Sequence, residues 1–133
     1  MNLESFIAVS GEGGLFNLIA SRSNGLVLES LETGKSKFYS IRKHQFTPLG
    51  TVAIYTLEDS TPLGDVFQIM LDKKADTPPV SPKSESHVIE EYFESILPDY
   101  DEDRVSLKDM KKVIRWFQSL DSKRLLTQTD EEE

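Results

Sequence analysis

Three prolines within five residues, Pro78, Pro79 and Pro82, interrupt this chain. Proline lacks the backbone N–H that helices and central strands need, so neither element runs through such a cluster. Residues 75–84 therefore read as a Pro-rich linker, and the sequence follows a different grammar on each side of it. In residues 1–74 short β-favouring runs alternate with turns. Residues 5–10 form the first run, the glycines after Ser10 break it, and residues 15–20 follow. Ser23-Asn24-Gly25 then turns the chain into residues 26–31. Asn-Gly between two apolar runs is a strong hairpin signal, because both residues tolerate positive φ. Glu32-Thr33-Gly34 makes a second tight turn into residues 36–41. After a polar loop with Pro48 and Gly50, residues 51–56 supply a fifth strand. Five short strands at this spacing predict a small SH3-like β-barrel, with an OB-like barrel or an open meander as alternatives.

A flanking helix follows. Thr61 is placed to cap it, Pro62 suits its first position, and Leu63, Val66, Phe67 and Met70 fall on one stripe at helical spacing. Residues 85–120 predict a helical hairpin. Ser84 or Ser86 caps its first helix, whose apolar face is Val88, Ile89, Tyr92, Phe93, Ile96 and Leu97, and Pro98 ends it. Ser106 and Asp109 form a capping-box start for the second, which is lined by Leu107, Met110, Val113, Ile114 and Phe117. Residues 121–133 read as a frayed acidic tail. The expected class is thus α+β: a five-stranded SH3-like barrel, a flanking helix and a C-terminal helical hairpin.

The chain of 133 residues carries 15 Lys/Arg against 23 Asp/Glu, a net charge of -8, and no cysteine. Disulfide scaffolds, Cys-zinc sites, iron–sulfur clusters and thiol catalysis are thereby excluded. No apolar run approaches the ~18 residues of a membrane span, and the N-terminus lacks the pattern of a signal peptide. The expectation is a cytoplasmic protein with no membrane partner.

Chemical motifs are sparse. Gly11, Gly13 and Gly14 follow a strand as phosphate loops do, but the next run reads as a strand where a phosphate cradle needs a helix N-terminus. Asp99, Asp101 and Asp103 alternate like calcium ligands. The sixth and twelfth positions of such a loop are here Arg104 and Met110 instead of Gly and Glu, which favours an acidic interhelical loop. Pairing of Arg104 with that loop would make it structural. His87 shares a predicted helix with Glu90, Glu91 and Glu94, and His44, the one other histidine, lies in the other part of the chain. No nucleophile elbow or triad pattern occurs. The expectation is therefore no enzyme, no cofactor and no metal site.

Two surfaces remain. Lys35, Lys37, Arg42, Lys43 and His44 surround Phe38 and Tyr39. Basic residues interleaved with aromatics suit RNA or single-stranded DNA, although a net charge of -8 repels polyanions outside such a patch. Lysines that discourage edge pairing explain the same residues. Adjacent strand residues face opposite sides, so exposure of Phe38 or of Tyr39 discriminates between faces. Phe38, Tyr39 and Tyr55 are the candidate contacts of the barrel for a protein partner, the acidic loop Asp99 to Asp103 is a second surface, and Tyr92, Tyr100 and Trp116 are further candidates, since aromatics are enriched among interface anchors. Binding of an unidentified protein partner, as an adaptor, is the first expectation. Nucleic-acid binding through residues 35–44 is the alternative, and a homodimer is a separate expectation.

Several runs also resemble a family of small uncharacterised proteins from Bacteroidetes-type bacteria. They are S-G-x-x-G-L-[FY]-x-L-[IV] at residues 10–19, N-G-L-V-L-E-S-L at 24–31, A-I-Y-T at 53–56 and P-L-x-x-V-F at 62–67. L-P-D-Y-D-E-D-R-V at 97–105 and D-M-K-K-V-I-R-W-F at 109–117 complete the set. The similarity covers roughly residues 1–120. That family is a domain of unknown function. The resemblance implies a barrel-like N-terminal part, a helical C-terminal part and a bacterial cytoplasmic setting, with no catalytic residues to carry over.

Overall fold

A computed structural model describes residues 3–12 and 14–126. The chain divides into two compact units, with the boundary between Val52 and Ala53.

The first unit is a five-stranded antiparallel sheet. Its strands are β1 (Phe6–Val9), β2 (Phe16–Arg22), β3 (Gly25–Ser30), β4 (Ser36–Ser40) and β5 (Phe46–Pro48), in the spatial order β4-β3-β2-β1-β5. Ile7, Val9, Phe16, Leu28 and Tyr39 form its buried cluster, with Leu18, Leu26 and Phe46 packed against it. The Phe16 and Tyr39 rings meet edge-on at 5.3 Å, an arrangement that matches a ring edge to a ring face. The expected closed barrel is absent: the ladder ends at β4 and β5, which do not pair among the described residues. The strand assigned to residues 51–56 does not join this sheet. The fifth strand of the sheet is instead β5, which pairs with β1 and comes from the stretch read as a polar loop. Pro48, the last residue of β5, has no N–H with which to continue pairing.

The β2–β3 hairpin forms where the Asn-Gly signal placed it, with Arg22 opposite Gly25. Its physical basis differs from the expectation, because neither Asn24 nor Gly25 has positive φ. Gly25 is required by close approach: a Cβ there would collide with the Tyr39 carbonyl oxygen and come within 2.7 Å of Phe38 Cζ.

The second unit opens with a two-stranded ribbon, β6 (Ala53–Tyr55) and β7 (Ser60–Pro62), followed by α1 (Leu63–Lys73), α2 (Ser86–Ile96) and α3 (Leu107–Ser122). The apolar stripes expected on the three helices are buried at Leu63, Val66, Phe67 and Met70 on α1, at Ile89, Tyr92, Phe93 and Ile96 on α2 with Leu97 after it, and at Met110, Val113, Ile114 and Phe117 on α3, whereas Val88 and Leu107 at the helix starts are half-buried. Phe67 and Phe117 meet at 5.8 Å and so join α1 to α3. The α1 helix thus packs with the other helices of its own unit. The Pro-rich segment 75–84 is a connection inside this unit, where the expectation made it the border. Gln118 Nε2 donates to the Val80 carbonyl oxygen at 3.3 Å, and Lys74 pairs with Asp121 at 2.7 Å.

The helix ends separate what local chemistry dictates from what it does not. The Ser106–Asp109 capping box is present in both directions. Thr61 is not a cap; it pairs with Ile54 in the ribbon, and α1 starts after Pro62. Glu85, and neither Ser84 nor Ser86, stands at the start of α2, without a side-chain cap bond. The α3 helix continues through Ser122, so residues 121–126 are not tail, and Leu126 is buried. The rest of the expected tail, residues 127–133, lies outside the described residues. No helix among the described residues is long and apolar enough to cross a membrane.

Candidate functional site

The basic-aromatic segment forms the β4 edge of the sheet and the turn after it. Lys35, Lys37, Arg42 and Lys43 are exposed. Phe38 and Tyr39 face opposite sides, as the strand period requires, and Phe38 is the outward one, at 41% exposure against 8% for Tyr39. Phe38 stands opposite Val27 on β3, with its ring lying back over Gly25. Tyr39 is a core residue. Lys37 Nζ lies 5.4 Å from its ring centroid, and the His44 ring meets it edge-on at 5.3 Å. Burial, and then the charge of Glu12, raises the Tyr39 pKa. His44 Nδ1 lies 3.3 Å from the Ser10 carbonyl oxygen.

Tyr55 and Trp116 belong to the helical unit, so the residues singled out from sequence fall into separate groups. Trp116 is half-buried on α3, beside the buried Phe117. Tyr55, by contrast, sits in an organised constellation. Its carbonyl oxygen accepts from the Asp101 N–H, and the Leu57 N–H donates to the Asp99 carbonyl oxygen, both at 2.9 Å. Thr56 forms an isolated bridge with Tyr100. The loop 99–104 is therefore stitched onto the end of β6. Asp101 is committed inside this loop: Oδ1 accepts from the Asp103 N–H at 2.9 Å, and Oδ2 lies 3.7 Å from Arg104 Nε. The Arg104 guanidinium rests over the Tyr55 ring at 4.8 Å. A cavity of about 260 Å³ opens here, lined by Tyr55, Leu57, Asp59, Asp101 and Arg104 among others. Leu57 at its rim is 71% exposed and Tyr55 49% exposed. Leu57 carried no sequence signal, since a lone leucine between polar residues has no periodicity. The Glu58-Asp59-Ser60 run after an apolar strand was the available hint of a ribbon.

The acidic loop thus spends its central carboxylate on its own backbone and on Arg104, the structural alternative raised for it. Among the described residues, no group of three His, Asp or Glu side chains is arranged to hold a metal ion. His87, on α2, is within 3.6 Å of Glu85. It edges a groove of about 480 Å³ with Glu90, Glu91, Glu94, Tyr100 and Glu102. Burial first, then Glu102, Glu90 and Glu94, raises the Tyr100 pKa. Tyr92 is a core residue, not a surface anchor. Its hydroxyl has no hydrogen-bond partner among the described residues, and burial pushes its pKa up to about 12. Gly11 and Gly14 hold positive φ in a turn, and strand β2 follows, so no helix N-terminus faces them. Gly13 lies outside the described residues.

Residues 52–120 match a family described as a domain of unknown function (DUF6852), and residues 3–49 match a second one, also a domain of unknown function (DUF5606). The break between the two matches falls where the structure divides. A solution NMR structure from Bacteroides vulgatus is similar with a TM-score of 0.71 at 28% identity, covering 90% of this chain and 85% of that one. Among curated proteins there is no match.

Proposed function

Starting from a chain that belongs to the DUF6852 family of unknown function, we propose a non-enzymatic protein-binding module that acts through the end of the β6–β7 ribbon. The observation that carries this reading is the pairing of exposure with fixation at Leu57. An apolar side chain at 71% exposure is held by a backbone bond to Asp99, beside an aromatic ring already covered by an arginine. Tyr and Arg are enriched among residues that dominate binding energies, and a pre-ordered anchor loses little conformational entropy on association.

The test is capture from a nuclease-treated lysate by the full chain and by Leu57→Ser. Leu57 is exposed, so the substitution should leave stability within ~0.5 kcal/mol. Loss of one captured protein with the fold intact is the expected result. Identical capture by both proteins, or no capture that survives nuclease, would overturn the reading.

A further inference from the structure

The sheet unit has two edges, and they differ. The β5 edge has three residues and ends at Pro48, whose carbonyl oxygen already accepts the Thr51 hydroxyl at 2.8 Å. The β4 edge has five residues and no proline. Its register fixes which backbone groups are free. Ser30 N–H donates to the Lys35 carbonyl oxygen, and Ile41 N–H donates to that of Asn24. Hydrogen-bonded pairs alternate along an antiparallel ladder, so Lys35, Lys37, Tyr39 and Ile41 point their backbone groups at β3. Ser36 and Phe38 consequently direct their N–H and C=O groups away from the sheet, where no strand lies among the described residues. The Phe38 ring folds back over Gly25 and leaves the edge uncovered.

We propose that β4 is a docking edge for an extended acidic segment of another protein, which adds as a sixth, antiparallel strand. Charge complementarity selects that occupant. Residues 35–43 carry four cations and no anion. In a symmetric pairing of two copies centred on Lys37, Lys37 would stand opposite its own copy, and like charges directly opposite destabilise a strand pair. An acidic strand meets the same cations favourably. Nucleic acid matches the charge, but the alternating free N–H and C=O groups of Ser36 and Phe38 have the spacing of a peptide backbone, which pairs with both kinds along the whole edge. This edge is independent of Leu57, so failure here leaves the ribbon reading untouched.

The test uses the full chain and synthetic peptides of about six residues, the length of a typical strand. One carries Glu at alternate positions among Val and Thr. A second replaces Glu by Lys, and a third is the acidic peptide N-methylated at alternate residues, which removes the backbone donors along one edge of the peptide without touching the protein. The acidic peptide should bind saturably and slow amide exchange at Ser36 and Phe38. The N-methylated and Lys peptides should each bind about tenfold more weakly or worse. Lys37→Glu should reverse the preference between the acidic and Lys peptides. Equal binding of methylated and unmethylated peptides, or no saturation at millimolar concentration, overturns the proposal. Tighter binding of a short single-stranded RNA of the same charge, with shifts at the same residues, also overturns it and assigns the edge to nucleic acid.

Discussion

Tyr92 is nearly fully buried on α2, and its hydroxyl lacks a partner among the described residues. A buried hydroxyl without a hydrogen bond forgoes its bonds to water, so Tyr92→Phe should leave stability unchanged or raise it by up to ~1 kcal/mol. The same burial has a pH signature. The native pKa is about 12, raised by desolvation from an ordinary value near 10. Well below pH ~10 the phenol is neutral in both states and adds no pH dependence. As pH rises from 10 toward 12 the unfolded chain ionises first, so stability falls, by up to about 1.4 kcal/mol per pH unit for one group. Denaturant titrations at pH 7, 10 and 11 should therefore show a shallower alkaline loss for Tyr92→Phe than for the parent. Tyr39 and Tyr100, also raised, should leave part of it in place. An unchanged slope would remove Tyr92 as its source. Sequence placed Tyr92 on the apolar stripe of its helix and also offered it as a surface anchor. Periodicity reports which face a residue occupies, but not whether its polar tip finds a partner.

At the scale of elements, α3 shows what local chemistry can and cannot announce. Its start was legible, because Ser106 and Asp109 satisfy orphan backbone donors within four residues of chain. Its end was not. The Leu125 N–H donates to the Leu120 carbonyl oxygen and that of Arg124 to Asp121, the two bonds of a Schellman cap. The left-handed position of that cap, at φ 58°, is occupied by Arg124 where glycine is usual. Arg124→Gly removes the Cβ clash of that conformation and should stabilise the helical unit by about 1 kcal/mol, while Ser106→Ala should cost about as much. Urea midpoints that move in opposite directions at constant m would bear this out. A fall for Arg124→Gly would mean that the arginine side chain holds the cap. The strands divide in the same way. Hairpins β2–β3 and β3–β4 were readable from turns. The failure of the barrel was not, since closure depends on which distant strand lies beside β1, and residues 46–48 carry too few side chains to advertise that pairing.

For the whole molecule the decisive correction is the boundary. Moved from the proline cluster to residues 52 and 53, it sharpens the charge division. Residues 1–52 carry five Lys/Arg against four Asp/Glu, a net of +1, and residues 53–133 carry ten against nineteen, a net of -9. The overall charge of -8 therefore describes the helical unit and misdescribes the sheet. An argument against anionic partners drawn from the total loses its force at β4. The two proposed surfaces should then respond differently to salt. Charge attraction at exposed lysines is screened as the Debye length shrinks, whereas burial of Leu57 against an apolar partner is not. Raising sodium chloride from about 0.05 M to about 0.5 M should weaken acidic-peptide binding at β4 by about tenfold or more. The same change should leave Leu57-dependent capture nearly constant. Anisotropy for the peptide and capture for the ribbon, on one preparation of the full chain, make the comparison. If the Leu57-dependent partner is also released by salt, its anchor is the charge of Arg104 and not the apolar side chain, and Arg104→Gln would then abolish capture where Leu57→Ser only weakens it.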